Sequence, residues 1–433
     1  MITRPASDGQ NEVDADATVD LDLAARLFEE LKQRTGSDFG LTRPSYGLGE
    51  QIAHDMVRRE ARRLGLAVSS DAGCNLYATL KGRSAGPGIF IGSHLDTVPR
   101  GGNFDGAAGV LMGLAVVSGY LRAGIVPGRD ITVMAIRSEE SAWFGASYIG
   151  SRAAFARLRA EELDSLHRTS DRVALSSAID GAGGDTPRLR AGEAYLSREK
   201  VGLFIEPHIE QGPVLVGRGI PVGIVTGIRG SFRFRDASCK GRYAHSGATP
   251  LENRADAVRA VATLVVRLDE AWMELRDQGA DLVVTFSEFY TDANEAAFSK
   301  IAGKVDFSLD VRSEEPETLR RMRTILGQEV ERIEREHNVR FNLGGMTASE
   351  PARMAPEIVR QLERCAEEND IPALTMPCGA GHDAAVFASE GIPTGMIFIR
   401  NENGSHNPAE YMAMDDFAAA ARLLSSFCLS YRI

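Results

Sequence analysis

Residues 92–110 read GSHLDTVPRGGNFDGAAGV. The stretch closes an apolar run, places a His-x-Asp pair at its end, turns through glycines to a further aspartate, and then enters a series of small residues. An apolar run cut by glycine and proline predicts a buried strand, and the small residues after Gly106 predict a helix. Working outward, CNLYATLKG, GIFIGSHLD, GAAGVLMGLAVVSGYLRAG and DITVMAIRSEE read as strand, strand, helix, strand. That alternation predicts an α/β sheet with helices on its faces.

The rest of the chain extends the pattern. LDLAARLFEELKQRTG and GEQIAHDMVRREARRLG have apolar residues at helical spacing and end in glycine, so two amphipathic helices precede the first strand. Near Pro221 the pattern changes. GIVTGIRGSFRFRDASCKG, a long helix from 253, the strands DLVVTFSEFY and KVDFSLDVRS, a second helix from 315 and a short strand at 339–343 give the order β-α-β-β-α-β. This is the ferredoxin-like pattern of a small α+β domain. After it, APEIVRQLERCAEEND, PTGMIFIR and DDFAAAARLLSSFCL return to α/β alternation. The expected division is a flexible leader over 1–20, a catalytic metal-binding domain over 21–221 and 339–433, and an inserted lid over 222–338.

Composition narrows the function. At 433 residues, 43% hydrophobic and 25% charged, the chain has material for more than one core. A net charge of −11 without a Lys/Arg stripe argues against a nucleic-acid or anionic-membrane partner and favours a small metabolite. No apolar window approaches the length of a membrane span, and residues 1–20 lack the apolar core of a secretory signal. The five cysteines are scattered, with no C-x-x-C pair, which points to a reducing cytoplasm rather than a disulfide framework or thiolate zinc site.

Acids and histidines at strand ends and in glycine-bearing turns carry the chemistry. His94 and Asp96 share one side of an extended segment, so Asp96 is placed to orient the His94 imidazole. Asp105 follows in GGNFDG. Glu139 and Glu140 end the strand DITVMAIRSEE and point opposite ways, allowing one to bind metal and the other to face water. His208 in EPHIEQGP and His406 in NENGSHNPAE lie beside glycine or proline. Any one of these alone is more often a solvated charge or a hydrogen-bonded structural residue; their grouping favours a metal site. His54, His167 and His337 read as structural residues on charged helical faces. Neither G-x-S-x-G nor a phosphate-binding glycine loop is present.

Eight segments, GSHLDTVPRGGNFDGAAGVLMGL, RSEES, IGSR, HIEQGPVL, GRYAHSGATPLENRADA, LDVR, GAGHDA and GSHNPAE, occur in the order and approximate spacing of the hydantoinase/carbamoylase-type amidases. This group lies within the dinuclear metallopeptidase M20 superfamily, and the chain resembles it from about Leu21 onward. The resemblance implies a mixed-sheet catalytic domain with an inserted lid and dimerisation domain. It implies two divalent ions per subunit, Zn²⁺ or Mn²⁺, with Co²⁺ and Ni²⁺ also compatible with mixed N/O ligands. Asp105 would bridge them, with His94 and His208 on one ion and Glu140 and His406 on the other. Glu139 would be the general base.

By the same resemblance His245 would stabilise the oxyanion from the lid of a partner subunit, making the protein a homodimer. Gln211 and Arg312 would contact substrate, Arg312 as a bidentate clamp on a carboxylate, and Gly379 and Ala380 would offer N–H groups to the same anion. The implied reaction is hydrolysis of an N-carbamoyl-L-amino acid to the amino acid, ammonia and carbon dioxide. Allantoate, a β-ureido acid or an N-acyl amino acid are the alternatives, the last shared with aminoacylases and exopeptidases. Ser299 and Ala302 stand where the family carries Asn and Pro, and Trp143 where it carries a cation. These departures spare every implied ligand and predict a shifted substrate. His382 and Asp383 in GAGHDA match the family motif and take a supporting role near the site.

Overall fold

The structure, a computed structural model, describes residues 18–37 and 39–431. The chain forms two compact units. One comprises the described residues of Met1–Thr226, Met354–Met376 and His382–Ile433; the other comprises Gly227–Arg353 and Pro377–Gly381.

The first unit is built on a mixed sheet. From Val222–Ile228 its strand order runs through Thr394–Ile399, Val201–Ile209, Gly88–His94, Ile131–Ile136 and Leu76–Leu80 to Ala67–Ser70. The central pairs, from Thr394–Ile399 across to Ile131–Ile136, are parallel and the flanking pairs antiparallel. Gly88–His94, Ile131–Ile136 and Thr394–Ile399 are buried throughout, as expected of central parallel strands covered on both faces. The edge strand Ala67–Ser70 has polar, exposed positions instead.

The small residues after Gly106 form the helix Ala107–Arg122, buried from Ala107 to Tyr120. Its glycines let it lie close on the sheet. A Cβ at Gly113 would wedge between Val133 and Ile91, and one at Gly109 would collide with the Pro207 carbonyl. Gly106, at φ +66°, makes the turn into the helix in a conformation that L side chains rarely adopt.

The leader expectation over residues 1–17 lies outside the described residues. For 18–20 it is corrected. Thr18 and Val19 are buried, and the Asp20 carboxylate caps the helix Leu21–Thr35 while accepting the Ser118 hydroxyl at 2.7 Å. This acidic residue is a helix cap, which composition alone does not separate from a solvated one.

The second unit has the antiparallel order Val283–Thr285, Lys304–Ser313, Gly230–Lys240, Arg340–Asn342, with the helices Ala257–Asp277 and Pro316–His337 contributing to its core. Its boundaries fall at Gly227 and Arg353 rather than at 222 and 338, for a pairing reason. Val222–Ile228 pairs with Thr394–Ile399 of the first sheet, while Arg340–Asn342 and Met346–Ser349 pair with Gly230–Lys240. No helix of the described residues is long and apolar enough to cross a membrane.

Candidate metal centre

His94 and His208 end the parallel strands Gly88–His94 and Val201–Ile209, which lie side by side. Both imidazoles are buried, and their Nε2 atoms are 3.4 Å apart. His208 Nε2 is 3.1 Å and His94 Nε2 3.5 Å from Asp105 Oδ1. The other ring nitrogens are engaged: Nδ1 of His208 contacts the Ile209 carbonyl at 2.9 Å, and Nδ1 of His94 the Asp96 carbonyl at 3.0 Å. A carbonyl only accepts, so each Nδ1 carries a proton and each ring turns its Nε2 toward Asp105 Oδ1. The Gly106 N–H, pointing at His208 Nε2 from 3.2 Å, requires the same tautomer.

Asp105 Oδ1 is buried with no hydrogen-bond donor. Two imidazole nitrogens and a buried carboxylate oxygen converging within a few ångströms call for positive charge between them, as a proton on Nε2 or as a bound cation. The donor set fits a divalent ion. A Cβ at Gly106 would overlap the His94 ring, so this approach requires glycine.

The second half of the cluster uses Asp105 Oδ2. His406 Nε2 lies 3.3 Å from it and 3.4 Å from Glu140 Oε1. The structure thus presents two candidate ligand groups, His94/Asp105/His208 and Asp105/Glu140/His406, with Asp105 in both. His406 is half exposed and holds φ +60°. Strain of this kind in a non-glycine residue is a common mark of functional sites.

The predicted strand through Glu140 ends at Ile136. Ser138 takes φ +52°, with its N–H bonded to Glu50 Oε1 at 2.9 Å, and the chain then turns. Asp96 fixes the turn. Its Oδ1 accepts the N–H of Glu139 at 3.1 Å, and its Oδ2 accepts the N–H of Glu140 at 3.2 Å and the Ser45 hydroxyl at 2.6 Å.

Electrostatics follow from this packing. Burial alone would raise Asp105, yet His208, His406 and His94 hold it well below the usual carboxylate range. Burial, reinforced by Glu140, Asp383 and Asp96 against the opposing His94, lifts Glu139 well above it. Burial would depress His94, but Asp105, Asp96 and Glu139 carry it well above the ordinary imidazole value. The pocket thus calls for positive charge, supplied either by protons or by bound cations.

Of the residues around this cluster, Glu410 and Arg43 escaped the sequence reading, while His382 and Asp383 are supporting residues in it. The carboxylate of Glu410 accepts from the backbone of Phe104 and Asp105 and meets the Ser405 hydroxyl. Arg43 is fully buried, its Nε–H donating to the Leu95 carbonyl at 2.6 Å. Burial brings its guanidinium down to about 10, against the raising effect of Glu410, Asp105, Asp96 and Glu50. His382 stacks obliquely on His208 with ring centroids 4.3 Å apart, and Asp383 accepts the Ser151 hydroxyl at 2.5 Å. The signals were faint: Glu410 sits inside GSHNPAE without a ligand's geometry, and Arg43 is one arginine among many.

Gln211 donates from Nε2 to Asp105 Oδ2 at 3.0 Å and holds φ +63°, so it touches a candidate ligand directly. Trp143 is buried in a satellite core with Tyr46 and Phe144, its indole N–H on the Thr97 carbonyl at 2.7 Å. His54, placed on a charged face from sequence, is fully buried.

The remaining predicted residues belong to the second unit. Exposed His245 accepts N–H groups of Gly247 and Ala248 at Nδ1, both at 3.2 Å, leaving Nε2–H as a donor. Arg312 is occupied by Asp310, at 2.7 and 3.0 Å, and by the Gly379 carbonyl at 2.8 Å. Gly379 thus engages through its carbonyl, and the Ala380 carbonyl faces Cys378 Sγ at 3.1 Å. The Ser299 carbonyl accepts the Ser246 N–H beside His245.

A mixed α/β sheet and the loops beside it thus gather imidazoles and carboxylates around one shared aspartate, an arrangement suited to divalent cations. The chain belongs to peptidase family M20/M25/M40, whose model matches residues 90–430, and that family is metal-dependent. It is 35% identical to the N-carbamoyl-L-amino acid amidohydrolase of Geobacillus stearothermophilus, over 92% of this chain and 94% of that one. It is 29% identical to the allantoate amidohydrolase of Escherichia coli, over 89% and 92%. A hydantoinase/carbamoylase family amidase from Burkholderia ambifaria superposes with a TM-score of 0.83 at 28% identity, covering 96% of this chain and 98% of its own.

Proposed function

We propose that this protein is a dinuclear metal-dependent amidohydrolase that cleaves N-carbamoyl-L-amino acids in the cytoplasm. One water and one ureido acid give the amino acid, ammonia and carbon dioxide. The observation that carries this reading is Asp105, whose two oxygens serve two imidazole-bearing groups beside the buried Glu139. The 35% identity to a carbamoylase over nearly the full length supports the substrate class.

His94, His208 and Asp105 would hold one cation and Glu140, His406 and Asp105 the other. When bound, such ions acidify water and polarise a carbonyl. Glu139 accepts the proton of the attacking water and returns it to the departing nitrogen; burial keeps its carboxyl basic enough for both transfers. Asp96 holds the backbone of Glu139 and Glu140 so that base and ligand keep their separation. His245, with Nδ1 already accepting, offers Nε2–H to the developing oxyanion of a partner's site, and the second unit acts as lid and dimer interface. Arg312 would have to exchange Asp310 or Gly379 for a substrate carboxylate.

The test is ammonia release from a panel of N-carbamoyl-L-amino acids, allantoate, β-ureido acids and N-acyl amino acids, with chelated and Zn²⁺- or Mn²⁺-reconstituted protein. Metal-restored ammonia release supports the proposal, and its strongest substrate names the ureido class. Free amino acid from the N-acyl set alone, with no ammonia, would move the assignment to an acylase. Light scattering reads the dimer.

A further inference from the structure

Asp105 must aim its two oxygens at different partners, Oδ1 toward His94 and His208 and Oδ2 toward His406. Its backbone therefore has to be fixed relative to a loop some 300 positions away in sequence. Glu410 spans that gap. Its Oε1 accepts the N–H groups of Phe104 at 2.8 Å and Asp105 at 3.2 Å. Its Oε2 lies 2.6 Å from the hydroxyl of Ser405, the residue immediately before His406, and that hydroxyl lies 2.9 Å from Asp105 Oδ2. One buried carboxylate thus grips the loop bearing the shared ligand and the loop bearing His406.

Gly102 supplies an independent observation. A Cβ at this position would fall on the Glu410 carboxyl group and 2.5 Å from its Cβ. The first carbons of the side chain have no room to swing aside, so the second glycine of GGNFDG makes space for Glu410. The buried Arg43 guanidinium, under the influence of Glu410 and Asp105, adds a compensating charge to this acidic crossing.

We propose that Glu410, admitted by Gly102, is a positioning residue that locks the Asp105 loop to the His406 loop and so sets the spacing between the two metal groups. The proposal rests on the dinuclear reading above. A carboxylate that only stapled loops would lower stability without favouring one ion over the other. A spacing device should instead weaken one binding step selectively.

The experiment is stepwise titration of chelated, full-length protein with Mn²⁺, with ions per protomer measured after gel filtration, alongside kcat, KM and the melting temperature of the apo forms. For Glu410→Ala we expect one binding step weakened about 10- to 100-fold, a range typical of residues that orient ligands. The other step should stay within about threefold and kcat should fall with little change in KM. Gly102→Ala should reproduce this loss. Glu410→Gln should restore near-native binding, because its amide oxygen still accepts from Phe104 and Asp105 and its NH₂ still reaches Ser405.

Native stepwise affinities in Glu410→Ala, or equal weakening of both steps in proportion to a lower apo melting temperature, would overturn the proposal. If Glu410→Ala does not fold, native binding in Gly102→Ala overturns it. Wild-type protein that binds two ions but releases no ammonia removes the substrate assignment and leaves the clamp standing; wild-type protein that binds fewer than two overturns both.

Discussion

Asp96 Oδ1 lies 3.4 Å from His94 Nδ1 while accepting the backbone N–H of Glu139 at 3.1 Å. One carboxylate oxygen thereby ties a candidate ligand of one metal group to the candidate base. Asp96→Asn places an amide NH₂ on one side of this arrangement, where either a ring N–H or a backbone N–H now needs an acceptor. We expect a loss of about 10- to 100-fold in metal affinity or activity, read by metal titration and ammonia release. Ser45→Ala, which removes only the 2.6 Å bond to Oδ2, should cost less.

Glu139→Gln removes proton transfer and preserves shape. Activity should fall by about 10²- to 10⁴-fold with unchanged metal content. Loss of an ion together with activity would instead make Glu139 a ligand.

Metal removal should act on stability as well as turnover, since ligand binding to the folded state alone adds stability. At a free ion concentration about a thousandfold above Kd the gain is about 4 kcal/mol. Dialysis against chelator should therefore lower the melting temperature, and Zn²⁺ or Mn²⁺ should restore it together with activity.

Glu60 provides a pH-dependent test remote from the cluster. Burial would raise its carboxyl, but Arg26 and Arg63 outweigh burial and bring it to about 2. A folded value below the ordinary 4.5 means stabilisation that is complete above about pH 4.5 and lost as pH falls toward 2. Glu60→Gln should destabilise by about 1–3 kcal/mol at pH 7, and the gap to wild type should close near pH 2. Thermal unfolding at both pH values decides; a constant gap would refute the ionic origin.

Trp143, read from the sequence as standing in place of a family cation, spends its buried indole N–H on the Thr97 carbonyl. Trp143→Phe leaves that carbonyl unpaired and should cost about 1–3 kcal/mol without reordering substrates. A changed ranking in the ammonia assay would return Trp143 to the pocket.

The residues legible from sequence were those whose position follows from a strand end or a turn. His94, Asp105, Glu140, His208 and His406 stand beside an abrupt end of an apolar run or beside glycine, and the structure gathers all five. Glu410 was not legible because its value lies in backbone N–H groups of a distant loop, which leave no local pattern. The short helices between Ile149–Ala154 and Thr186–Arg190 were missed because one or two turns cannot display a 3.6-residue period. His54 shows the opposite failure. The helix Leu48–Arg63 is polar by composition, yet it turns Glu50, His54 and Glu60 inward, where arginines and backbone groups meet the two acids.

The split of the first unit around Gly227–Arg353 also fixes an order of assembly. On a growing chain His94, Asp105, Glu140 and His208 emerge early, but their sheet still lacks Thr394–Ile399, and His406 has not been made. The inserted unit, whose core is drawn from its own strands and helices, has all its segments before then. Vectorial synthesis therefore allows the insertion to fold while its host remains open. A nascent chain stalled before residue 394 should hold the His94 and His208 imidazoles without the strand that pairs beside His208, so the candidate group that needs His406 can form only late in synthesis.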